Sequence, residues 1–399
     1  MKRTLVSLGL SGILVAGLGL SWTAEARTDI PKPKPLSENT QKGLKWLVEH
    51  QNPDGGWGQG EGQHQAVRQK VDQSVEGEGG QQGYQSNVAD TATACLALAR
   101  AGSTPSKGAH AQALRKGVNY VCSQIEASDN DSILVTSVRG TRVQSKLGPN
   151  IDTFMANLLL VEVKGKMPDA AGNERVAKAV RKVLRKIEKN QNQDGTWSKE
   201  GWAPVLSQSM ATKSLNRAAQ QGFAVPESTM AKADEQTKGQ VNAPTSSAGN
   251  AGVALYSAGA GLTNVQDTLN TLERDEQSLK KQAKSEDKDV RTNAEQKLKR
   301  LEGARETRRA AEKSVVGRLG DAKFVAGFGS NGGEEFLSYM NISESLVAKR
   351  GEEWSKWDKS MTENLSRIQN PDGSWSGHHC ITGKTFCTAT ALLVLTADR

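Results

Sequence analysis

The chain has 399 residues, of which 36% are hydrophobic, 24% charged and only 5% aromatic, with 40 glycines. That composition fits a soluble, Ala/Leu-rich helical protein large enough to bury a core. The formal charge of +8 is modest, and no Arg/Lys cluster interleaved with aromatics accompanies it. A nucleic-acid surface is therefore excluded, and the charge reads as solubility.

Residues 1–26 begin with Lys2 and Arg3, continue as an uncharged apolar run from Leu5, and end small-x-small at Ala24 and Ala26. This layout predicts a secretory signal cleaved after Ala26, an uncleaved membrane anchor being the alternative. No cysteine follows the run to take a lipid, so the expected product is secreted or periplasmic, starting with a Pro-rich tether over 27–36. Export changes the reading of the four cysteines, because an oxidising compartment favours pairing. Cys380 and Cys387, in "HHCITGKTFC", are expected to close a local disulfide; Cys95 and Cys122 are a second pair or two buried thiols.

From residue 37 two kinds of helix alternate. "SENTQKGLKWLVEHQ" sets Leu44, Leu47 and Val48 on one face, and "NERVAKAVRKVLRKIEKNQ" does so with Val176, Val180, Val183, Leu184 and Ile187. Such spacing predicts amphipathic outer helices. Each runs into a glutamine, an Asp-Gly turn and a tryptophan, and the device occurs three times. The copies are Gln51, Gly55, Trp57; Gln191, Gly195, Trp197; and Gln369, Gly373, Trp375. Gly stops a helix by taking positive φ. A catalytic motif occurs once, so three copies read as architecture.

The helices in between are apolar on most sides and belong inside. "DTATACLAL" from Asp90, "DTFMANLLL" from Asp152 and "CTATALLVL" from Cys387 align without gaps, matching Thr91, Thr153 and Thr388 and then Leu96, Leu158 and Leu393. With weaker copies such as "KGVNYV" at Lys116 beside "KGLKWL" at Lys42, six outer/inner pairs are predicted. Their inner helices fall near 86–101, 148–163, 203–221, 247–259, 333–349 and 384–398. Within the expected domain, 37–399, the stretch 266–318 is rich in Lys, Arg, Glu and Asp. It carries apolar stripes at Leu269, Leu272, Leu279 and at Val290, Ala294, Leu298, Leu301. It is read as two charged helices turning near "SEDKD", either a solvated decoration or a partner-docking arm.

Six alternating pairs that close on themselves resemble the α/α-toroid superfamily of prenyltransferase and squalene-oxidase repeats. That group includes squalene-hopene cyclases, protein prenyltransferase β-subunits and thioester-containing complement domains. The first copy matches the family's repeat in full, through Lys42, Gly43, Trp46, Leu47, Gln51, Gly55 and Trp57. The resemblance implies an all-α toroid over most of 36–399 outside the charged insert. Fold alone does not assign chemistry.

In such a ring the inner helices present their N-termini at one mouth, where helix dipoles favour anions and polar ligands. Asp90, Asp152 and Cys387 share one repeat position there, and His378 and His379 precede the last inner helix beside Cys380. Asp90 and Asp152 are candidate catalytic acids, or first-turn acids with no role beyond capping. His378, His379 and Cys387 are candidate ligand-binding residues.

Class II cyclases, which this chain resembles, protonate an alkene with the middle acid of Asp-x-Asp-Asp-Thr-Ala. Here the stretch reads Asn87-Val88-Ala89-Asp90-Thr91-Ala92, so Ala89 stands at the donor position. The prenyltransferase zinc set implied by the resemblance is missing as well: there is no Asp-x-Cys, and Lys384 falls at the family's His. Zinc on His378, His379, Cys380 and Cys387 competes with the simpler local disulfide, so no cofactor is expected. A Gly-Cys-Gly-Glu-Gln thioester motif, a serine elbow, a phosphate loop and a metalloprotease helix are all absent. Polysaccharide chemistry stays open, with no carboxylate pair singled out. The sequence therefore reads as a toroid acting as a ligand-binding or protein-interaction scaffold. It would use either the 266–318 insert or a small ligand in the cavity; the alternative is an enzyme on an isoprenoid-like or other apolar substrate.

Overall fold

The computed structural model describes residues 33–60, 85–242 and 248–399. The expected signal over 1–26 lies outside them, as does 27–32 of the expected tether. No described helix is long and apolar enough to cross a membrane. Pro35–Arg399 forms one unit, and among the described residues it is helical, with a single isolated bridge between Trp57 and Asn87.

In chain order the helices are α1 (Glu38–Glu49), α2 (Val88–Arg100), α3 (Ala111–Ala127), α4 (Arg142–Leu147) and α5 (Ile151–Glu162). There follow α6 (Ala170–Lys189), α7 (Pro204–Gln220), α8 (Glu227–Asn242), α9 (Ala254–Leu272) and α10 (Glu276–Gln282). The chain continues through α11 (Lys288–Val316), α12 (Ala322–Val325), α13 (Gly333–Val347), α14 (Glu352–Ile368) and α15 (Lys384–Leu395). Local signals set several starts: Ser37, Asn87, Asp169 and Asp287 each cap a helix by accepting a backbone N–H with the side chain.

Helices α2, α5, α7, α9, α13 and α15 form an inner ring, each packed on the next, and α15 returns to pack on α2. The outer shell is α1, α3, α6, α8, α11 and α14. Composition divides the two: in α5 every residue from Ile151 to Val161 is buried, whereas α6 buries only one face. The predicted toroid is thus the observed fold.

The repeated glutamine–glycine–tryptophan device spans adjacent sectors of the ring. Gln51 Nε2 donates to Gly55 O (2.8 Å) and across to Ala113 O on α3 (2.9 Å). Gln191 reaches Thr229 O on α8 (3.1 Å), and Gln369 reaches Asn39 O on α1 (2.9 Å). Each indole turns back instead, Trp57 donating to Leu47 O, Trp197 to Ile187 O and Trp375 to Leu365 O at 2.7–2.8 Å. Gly55 has φ +89°, and a Cβ there would meet Lys116 O at 2.8 Å, so positive φ and close approach both require glycine. The small residue after each repeat lysine is explained too. A Cβ on Gly43 would sit 2.7 Å from the Trp375 ring, and one on Gly117 would sit 3.0 Å from Trp57. The aligned threonines complete the joint: Trp57 N donates to Thr91 Oγ1 (2.8 Å) and Trp375 N to Thr388 Oγ1 (2.9 Å).

The charged stretch differs from expectation at its start. Residues 266–272 are the last two turns of the inner helix α9, and Leu269 and Leu272 belong to a small core with Val265, Leu301 and Ala304. The chain breaks between α10 and α11, and α11 then takes the fifth outer position against α9 and α8. Arg300 pins it there, forking between Glu227 and Asp234 of α8 at 2.7 Å each. The polar sequence of 266–272 had read as surface because its charge is paired inside: Asp267 is buried beside Arg217 at 2.9 Å.

Candidate functional site

The N-terminal ends of the inner helices carry four fully buried carboxylates, Asp90 on α2, Asp152 on α5 and the pair Glu334–Glu335 on α13. Asp90 follows its cap: Asn87 accepts from Asp90 N (2.9 Å) and donates to Asp90 Oδ2 (2.6 Å), while Oδ1 has no partner. Burial, opposed by the Asn87 bond and reinforced by the Asp152 charge, pushes Asp90 up to about 7. Asp152 crosses between helices, accepting from Ala89 N (2.9 Å) and from Gln144 Nε2 of α4 (2.7 Å). Burial raises its pKa as well, against these bonds. Ala89 thus contributes a backbone N–H that ties α2 to α5.

Across the mouth, the expected histidine–cysteine cluster divides. The Cys380–Cys387 disulfide is not formed; all four cysteines are free thiols. Cys387 lies in the first turn of α15 and donates to Ile381 O (3.4 Å). Cys380 is a turn residue at φ +50°. Burial, then the Glu334 and Asp90 charges, raise the Cys387 pKa well above the ordinary thiol value. Cys95 and Cys122 are buried thiols, raised in the same way by burial. His378 is exposed, whereas His379 turns inward.

His379 meets two residues that the sequence reading missed. Its Nε2 lies 3.2 Å from Glu335 Oε2 and 2.7 Å from Ser330 O. Burial disfavours the imidazolium, but the Cys380 thiol and the Glu335 carboxylate outweigh it and push His379 up to about 11. Glu335 Oε1 accepts from Tyr256 OH (2.6 Å) and Phe328 N (3.1 Å). Glu334 Oε2 accepts from Ile381 N (3.2 Å), and burial with the Glu335 charge pushes Glu334 up to about 7. Above the histidine, Phe328 and Trp202 remain 52% and 41% exposed, two of the three exposed large apolar side chains among the described residues. Their rings meet edge-on at 5.8 Å, and Phe328 lies 5.2 Å from the His379 ring. The register of the repeat could have found the acid pair, since "GEEF" places it in the same first turn as Asp90.

The opposite mouth is closed by charge. Glu344 binds Lys213 Nζ (2.6 Å) and Arg100 Nη2 (2.7 Å), with Arg217 at 3.8 Å. Burial would raise its pKa, but these three cations hold it well below the carboxylate range. Arg100 and Arg217 sit in the last turns of α2 and α7, where the helix dipole favours them, and Lys213 reaches in from the middle of α7. The cavity they enclose, lined also by Met155, Met210 and Leu393, is about 80 Å³. A groove of about 620 Å³ lies instead outside the ring, walled by α8 and α11 and floored by Val265 and Thr268 of α9.

Residues 23–132 match the family model described as the squalene-hopene cyclase C-terminal domain. No curated protein and no solved structure matches the chain to a comparable standard. The matched stretch holds α1 to α3, the first tryptophan joint and Asp90. Over that stretch the chain is similar to the squalene-hopene cyclase C-terminal domain, a fold of the terpenoid-cyclase α/α-toroid type.

Proposed function

We propose that this protein, similar over residues 23–132 to the squalene-hopene cyclase C-terminal domain, is an exported interaction scaffold that engages a protein partner on the outside of its ring, and does not cyclise a polyene. The observation that carries the reading is a contrast of volumes. The cavity at the Glu344 end of the ring is about 80 Å³, against about 620 Å³ in the groove between α8 and α11. Sites for drug-sized ligands run from about 300 to 1,000 Å³. The groove is apolar at Val265 on its floor and Ala304 on its α11 wall, while Glu235, Lys238, Lys299 and Glu302 give it rims of both signs. Such a surface suits the apolar face of a partner helix, whose charges then meet the rims. Ala89 at the family's proton-donor position supports the same conclusion. In this reading residues 1–26 direct export, and Edman sequencing of protein made in an exporting host should begin at Arg27.

The enzyme alternative is favoured by one observation, the surviving Asp90 carboxyl raised to about 7 by burial. A direct test separates the two. Gly303 faces open space, with nothing within 4 Å of an added Cβ, so Gly303→Trp fills the groove without disturbing the ring. An environment-sensitive naphthalenesulfonate dye should bind the wild type and lose at least tenfold affinity in this variant. Unchanged dye binding, or cyclised product from incubation with squalene, would overturn the proposal.

A further inference from the structure

The geometry points to a divalent-cation site, zinc first, held by Glu334, Glu335 and His379 at the mouth of the ring. One ligand atom from each of the three residues lies within 4.8 Å of the others. Both carboxylates are fully buried, and the His379 side chain is 15% exposed.

The independent observation is the pattern of satisfied and orphaned atoms. Glu334 Oε2 takes Ile381 N while Oε1, fully buried, has no partner. Glu335 Oε1 takes Tyr256 OH and Phe328 N, which leaves Oε2 only the His379 Nε2 contact at 3.2 Å. His379 Nε2 also meets Ser330 O at 2.7 Å. A buried carboxylate oxygen without a partner is uncommon in folded proteins, and this one belongs to the same three-residue cluster. Metal ligands show this division: the outer atom is fixed by a hydrogen bond, which aims the other at the ion.

The surroundings keep the space open. A Cβ on Gly332 would approach His379 Cε1 at 2.9 Å and Glu335 Oε2 at 3.0 Å. A Cβ on Gly327 would fall 2.5 Å from Glu335 Oε1. Two carboxylates balance the charge of one dication, and with an imidazole they suit zinc ahead of calcium or magnesium, which prefer all-oxygen shells. Binding exchanges a proton on His379 for the metal, as linkage requires. His379, its side chain 15% exposed beside the Phe328 ring, is the edge of the cluster that solvent reaches. The site does not depend on the outer groove or on the scaffold reading.

The full chain, dialysed with Zn²⁺ and then against metal-free buffer, is analysed by mass spectrometry of the metal content. One zinc per chain is expected for the wild type, and less than a tenth of that for Glu335→Gln. Tyr256→Phe, which removes only the outer bond to Glu335, should weaken binding 10- to 100-fold while leaving the apo melting curve close to wild type. If Glu335→Gln fails to fold, the Tyr256→Phe result and a wild-type melting rise that saturates at one equivalent of zinc decide the matter. No zinc on the wild type, or zinc retained equally by Glu335→Gln and His379→Ala, overturns the site.

Discussion

Removing the charge of Glu344 should weaken the whole ring. Glu344→Gln preserves volume but leaves Lys213, whose side chain is 4% exposed, without its partner at 2.6 Å. Breaking a buried pair by deleting one member costs about 3–5 kcal/mol. Arg100 and Arg217 are 22% and 37% exposed and relax toward water, which places the expectation near the lower bound, about 3 kcal/mol. At about 2.1 cal/mol/K per residue, the unit Pro35–Arg399 unfolds with an entropy of roughly 0.8 kcal/mol/K, so the melting temperature should drop by about 4 °C. Because the folded pKa of Glu344 is depressed from 4.5, its stabilisation is present above that value and disappears as pH falls through the lower folded pKa. Calorimetry at pH 7 measures the loss, and the double variant Glu344→Gln/Lys213→Met should recover most of it. A single-variant cost below about 1 kcal/mol, or a double variant as damaged as the sum, would refute the idea that Glu344 compensates a buried lysine.

Trp57→Ala removes a fully buried indole and its 2.8 Å bond to Leu47 O; chemical denaturation should show a loss of about 3–5 kcal/mol. Asp90 works with the opposite sign to Glu344. Its raised pKa of about 7 against 3.8 means the folded state keeps a proton that the unfolded chain releases, so stability falls as pH rises between those values and levels off above. The slope from this group is on the order of 1.4 kcal/mol per pH unit. Asp90→Asn abolishes it, and urea midpoints at pH 5 and pH 8 should favour the variant more at pH 8; an equal difference at both pH values would contradict the assignment. Gly303→Ala, in the interior of α11 with open space at its Cβ, should stabilise by about 0.5–1 kcal/mol in thermal melts.

The ring was legible because its signals are local and repeated. The aligned Thr91, Thr153 and Thr388 marked the inner helices, and two of them bond the tryptophan joints. The partners of those joints were not legible, since Gln51 and Ala113 meet only once neighbouring sectors are packed. Asp267 and the end of α9 were read as solvated for a physical reason: a charge neutralised inside carries the same letter as one in water. The mouth was half visible. Asp90, Asp152 and Cys387 were placed by register, and His379 by its loop. The Glu334–Glu335 pair was overlooked because its helix lacks the threonine-marked alignment that Asp90, Asp152 and Cys387 share. The thiols of Cys380 and Cys387 show the limit of spacing as evidence, because proximity in sequence did not bring them into a bond.

The return of α15 onto α2, with Gln369 reaching Asn39 beside it, gives this helical array a periodic boundary. Open solenoids fray from their ends and need polar terminal repeats to shield the last apolar face. Here the first and last sectors shield each other, so no sector is terminal. Melting should be a single transition with no peeling intermediate, and the completed ring should be indifferent to where its backbone is cut. A permutant that joins Arg399 to Pro35 through a linker and opens between α10 and α11 keeps every sector contact.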